Sequence, residues 1–104
     1  MKILVYPPNK PPYTHDITTF KEIQDLVGGY VQVTQPLNSN SPIAVNEDGQ
    51  SLNLTPNPHW PISQVTPPAG AIVIGQNLPY LLGTVVVLPA DWDDQLSSNS
   101  QTEH

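Results

Sequence analysis

The spacing of apolar residues along the chain changes several times, and each change predicts an element. Phe20, Ile23 and Val27 recur at the i, i+3, i+7 interval of one helical face, with Leu26 beside them. Lys21, Glu22, Gln24 and Asp25 fall on the other side and stay wet. Thr19 stands three residues before Glu22, the spacing of a capping box that satisfies backbone donors at a helix start, so the helix is expected to begin at Thr19. Gly28 follows the last apolar position, where a left-handed residue closes a helix, and Gly29 lets the chain turn back. The period then becomes two, and Tyr30 to Thr34 predict a strand.

The rest of the pattern is β. Ile3 to Tyr6 are continuously apolar, which suits a central strand covered on both faces. Pro7, Pro8, Pro11 and Pro12 predict an extended connection into the helix. A polar turn spans Pro36 to Pro42. Ile43 to Val45 and Ser51 to Leu54 flank Asp48-Gly49, a pair that predicts a β-hairpin. Residues 55–69 hold five prolines and predict a long irregular loop, anchored by Trp60. Ala71 to Ile74 and Leu82 to Leu88 are the last two predicted strands, separated by Gly75 to Leu81. The expected fold is α+β, one short helix packed on a small, mostly antiparallel sheet of about five strands. Residues 1–89 form a single domain in this reading, with 55–69 as a loop insert and 90–104 as an acidic, flexible tail.

Charge and composition narrow the partners. Three basic residues, all lysine, face nine acids, for a net charge of −6. That balance disfavours a nucleic-acid backbone. Asp91, Asp93, Asp94 and Glu103 supply four of those acids, leaving residues 1–90 nearly neutral at −2. The absence of cysteine removes disulfides and thiol chemistry and fits a reducing cytoplasm. No apolar run approaches the roughly 20 residues that span a bilayer, so no membrane partner is expected.

Five short motifs occur in order: Lys2-Ile-Leu-Val5, Asn9-Lys-Pro11, Leu26-Val-Gly-Gly-Tyr-Val31, Val45-Asn-Glu-Asp-Gly49 and Leu82-Gly-Thr-Val-Val-Val87. Together they resemble a small family of uncharacterised domains of phages, plasmids and bacteria, over roughly residues 1–88. The resemblance implies a fold and no chemistry, and the proline-rich insert and acidic tail depart from it.

Catalytic sets are sparse. Asp91, Asp93 and Asp94 lack the glycine turn and bidentate glutamate of a calcium loop. His15, His59 and His104 share no zinc-ligand spacing, so no metal or other cofactor is expected. Serines 39, 41, 51 and 63 stand outside any nucleophile-elbow pattern. The expectation is therefore a binding protein, not an enzyme. His59-Trp60 on a proline-rich loop suits stacking on a base, although Trp60 equally suits plugging the core. Asn46, Asn53, Asn57, Gln76 and Asn77 gather near strand ends. With Tyr13, Tyr30, Tyr80 and the hydroxyl of Thr84 they would line a neutral, aromatic, amide-rich pocket for a nucleobase or nucleoside. One expected function is sequestration of a nucleotide-derived signal by a phage-type anti-defence sponge, possible as a homo-oligomer with an interfacial site. The other is an inhibitor or accessory protein docking on a host protein through an edge strand, the proline-rich loop or the tail.

Overall fold

Five strands pair antiparallel in the order β2 (Tyr13–Asp16), β1 (Lys2–Tyr6), β7 (Val85–Val87), β4 (Ile43–Asn46), β3 (Val31–Thr34), with helices against one face and a two-stranded ribbon against the other. The computed structural model describes residues 1–37, 39–49, 51–61 and 80–96 with side chains, and 97–100 as backbone. The expected strands at 71–74 and the polar pair Gln76 and Asn77 lie outside the described residues.

Strand β1 (Lys2–Tyr6) is interior, though β7 (Val85–Val87) holds the centre. Its alternation divides the sheet: Ile3 and Val5 turn toward the helices, Tyr6 toward the ribbon. A strand that the prolines concealed, β2 (Tyr13–Asp16), pairs with β1 as the sheet edge, placing Tyr13 opposite Val5 and His15 opposite Ile3. The expected plain connection therefore carries an element. All four of its residues are exposed, so no apolar alternation announces it.

Helix α1 (Phe20–Val27) follows the expected boundaries, with Thr19 at its N-cap. The Glu22 carboxylate accepts the backbone N–H of Thr18 at 2.7 Å and of Thr19 at 3.0 Å. These two bonds favour the ionised form and hold its pKa below the usual glutamate range. Ile23 and Val27 are buried against the sheet, with Phe20 and Leu26 at the margin. Gly28 closes the helix at φ +84°, a left-handed conformation that glycine adopts without cost from a Cβ.

Strands β3 (Val31–Thr34) and β4 (Ile43–Asn46) pair in register Val31 with Asn46 through Thr34 with Ile43. The expected hairpin around Asp48-Gly49 does not form. Strand β4 already has β3 on one side and β7 on the other, which leaves no edge for Ser51–Leu54. That segment coils into turns instead: Leu52 N–H donates to Asp48 O and Leu54 N–H to Gly49 O. Asn53 takes φ +57° there.

The proline-rich stretch also departs from expectation, since β5 (Pro56–Pro61) pairs with β6 (Tyr80–Leu82) as a ribbon. Its register shifts between Pro56 and Pro61, the kind of irregular, two-stranded setting that tolerates missing N–H donors. The apolar run 82–88 is likewise not one strand. Gly83, at φ +80°, turns a corner between β6 and β7, which belong to different sheets. Leu81 and Val85 on either side of the corner share a core with Ile43, Val45, Tyr6 and Trp60.

Downstream, where an acidic tail was expected from residue 90, Trp92–Ser100 form helix α2. Trp92 stacks on Phe20 at 6.1 Å between ring centroids, and Leu96 is only 4% exposed in the helix-side core.

Candidate functional site

A cleft of about 260 Å³ opens where the end of β1, the start of β2, the start of β7 and α1 meet. The β1–β2 register explains its floor: Val5 and Tyr13 are cross-strand partners and so share the helix-facing side of the sheet. Leu26 from α1 completes the apolar base. The rim is the segment after β1, where Pro7 and Pro8 fix the backbone angles and carry the chain to Asn9 and Lys10. Thr84, between the Gly83 corner and the start of β7, lines the cleft as well.

Four of the residues that line this small volume carry polar side chains: Asn9, Lys10, Tyr13 and Thr84. Among the described residues no carboxylate lines it. His59 secures the rim from the ribbon, its Nε2 lying 3.4 Å from the Lys10 carbonyl oxygen and its ring 5.5 Å from that of Tyr6.

The residues expected in one pocket are dispersed. Asn46 is buried, donating from Nδ2 to Val27 O at 3.0 Å while its Oδ1 accepts Asp48 N–H at 2.7 Å. It ties the end of α1 to the turn after β4. Asn57, 0% exposed, donates to Tyr6 O at 2.7 Å and Gly83 O at 2.9 Å and accepts His59 N–H at 3.0 Å. It joins ribbon and main sheet and offers nothing to a ligand. Trp60 packs against Tyr6 edge-on at 5.6 Å, the core role that was the alternative to stacking. Asn53 shapes a turn. Tyr80 is half-buried in β6.

Among the described residues, Tyr13 and Thr84 are thus the two expected ones that the fold brings to one cleft, and Val5, Pro7, Pro8, Asn9, Lys10 and Leu26 are the lining residues that sequence reasoning missed. The available signal was Asn9-Lys10 between two proline pairs, a polar step on a rigid rim. Tyr30 lies elsewhere, 70% exposed, beside a second depression of about 430 Å³ at the C-terminal end of α1. Lys21 and Asp25 on that wall pair with each other at 2.7 Å.

Among the described residues, no group of three or more histidines and acids is placed to hold a metal, and no helix is long and apolar enough to cross a membrane. No curated protein and no solved structure matches the chain. A family of domains of unknown function matches residues 1–103, through the acidic segment that the motif resemblance left out, and the chain therefore belongs to the DUF3846 family.

Proposed function

We propose that this protein is a non-enzymatic small-ligand-binding domain and that its site is the cleft between Tyr13 and Thr84. The observation that carries the reading is a cleft lined by four residues with polar side chains beside apolar ones, none of the four hydrogen-bonded to another side chain among the described residues. Pockets for small molecules have this composition, a mainly apolar surface with a few placed polar groups, and span roughly 300–1,000 Å³. At about 260 Å³ the cleft suits a nucleoside-sized molecule, with any further group at its rim. Proline on the rim lowers the ordering cost of binding, since the wall is already in place. Among the described residues the lining holds neither a carboxylate nor an imidazole, which supports retention of a ligand over its conversion.

The test is heat release of small molecules from purified protein after incubation with cell lysate, read by mass spectrometry against a Tyr13→Ala control. A stoichiometric molecule in the wild type that is absent from the variant is expected; an empty wild type overturns the reading.

One observation favours a second reading, docking of a protein strand. Strand β2 is a sheet edge whose four residues are exposed and which carries no proline, lysine or bulge to block pairing. Thr14→Lys separates the two: Thr14 pairs with Leu4 on the side of the sheet away from the cleft, so lysine there blocks edge pairing and leaves ligand release unchanged.

A further inference from the structure

We infer that the ligand of the Tyr13 cleft carries an anionic group recognised by Lys10, so that a nucleoside monophosphate is the class it fits; the inference rests on the binding site proposed above. The chain is acidic overall, and its three basic residues are Lys2, Lys10 and Lys21. Lys21 is paired with Asp25 at 2.7 Å, and Lys2, with Asp16 as its cross-strand neighbour in the β1–β2 ladder, is outside the cleft lining. Lys10 is in no ion pair among the described residues, and it sits on a lining that contains no acid.

In a molecule of net charge −6, this makes the cleft rim a local positive site inside a repulsive field. An anion at the rim meets Lys10, whose ammonium carries three donors and is in no ion pair among the described residues. The other lining groups define what the anion is attached to. Tyr13, 44% exposed and seated over Val5, offers a ring face for stacking, and the Asn9 amide offers both a donor and an acceptor to the edge of a base. Thr84 adds a hydroxyl suited to a sugar oxygen. The volume excludes oligonucleotides, in agreement with the missing basic stripe.

The position of Lys10 is defined although its side chain is exposed. Pro8 and Pro11 flank the Asn9-Lys10 step, and His59 Nε2 lies 3.4 Å from the Lys10 carbonyl, so the ribbon fixes the backbone from which the ammonium reaches.

The experiment titrates the full-length protein with adenosine, uridine, their 5′-monophosphates and inorganic phosphate, following the amide signals of Tyr13, Thr84 and Leu26 by NMR. The expected result is monophosphate binding about tenfold to a hundredfold tighter than the matching nucleoside, the usual range for a charge-assisted contact. Lys10→Gln, an exposed substitution that leaves the fold intact, should erase that difference and keep nucleoside binding. Equal affinity for nucleoside and monophosphate would overturn the anionic assignment while the site stands. A preference for monophosphate that survives Lys10→Gln would overturn it too, by placing the phosphate elsewhere. If no compound moves the cleft signals, both the assignment and the site fall.

Discussion

Asparagine 57 shows how far a residue type is from a residue role. Its amide was grouped with other asparagines as pocket lining, yet each of its polar atoms is engaged inside the protein, with Tyr6 O, Gly83 O and His59 N–H. Turn, bridge and pocket all use the same side chain, and only three-dimensional neighbours separate them. Glu22 is the opposite case. Its role follows from a spacing of three residues to Thr19, because a capping box is complete within one helical turn. Its chemistry also makes a pH prediction. The bonds from Thr18 and Thr19 lower its folded pKa below the ordinary value of 4.5, so the stabilisation is present above that value and is lost as pH falls through the folded pKa. Glu22→Gln should therefore be less stable than the wild type at neutral pH and should flatten the acid side of the stability profile. Urea midpoints measured from pH 7 down to pH 3 check this, and parallel profiles for the two proteins would contradict it.

At the scale of elements, legibility tracked how local the determinants are. Helix α1 and its stop at Gly28 were readable because cap, stripe and glycine lie within ten residues. Strand β2 was not, since an exposed edge strand bounded by Pro11 and Pro12 has neither an apolar rhythm nor a permissive neighbour. The predicted hairpin at Asp48-Gly49 failed for a non-local reason: both edges of β4 are occupied by strands remote from that turn. The break in 82–88 is subtler, because one glycine inside an apolar run marks equally a weak point or a corner. The structure makes it a corner, with φ +80° and only 2.8 Å between a Cβ built on Gly83 and Leu54 Cδ1. Alanine at 83 thus meets a left-handed backbone that strains any Cβ, whereas the Leu54 methyl, at the end of its side chain, can shift aside. Gly83→Ala is expected to cost about 1–3 kcal/mol in stability. Because Thr84 adjoins it, the variant should also disturb the cleft signals in an NMR spectrum, whereas an unchanged melting temperature would show that the corner relaxes freely.

For the whole molecule, the division into three layers decides what the acidic C-terminal segment does. Composition suggested a solvated tail, since only Trp92 and Leu96 stand out among Asp, Ser, Asn and Gln. Those two residues are four apart, one helical turn, and the structure turns both toward the helix-side core beside Phe20 and Ile23. A pair of apolar positions is too short a pattern to announce a helix, yet it is enough to hold one when the sheet already presents an apolar face. The family match through residue 103 agrees with a segment that belongs to the domain. The consequence is measurable. Leu96→Ala empties a buried position in a core shared by α1, β1, β4 and β7, and should cost about 2–4 kcal/mol. For a domain of this size that lowers the melting temperature on the order of 10 °C. If Leu96→Ala instead melts with the wild type, α2 contributes nothing to the core and the segment is, after all, an acidic appendage on a two-layer domain.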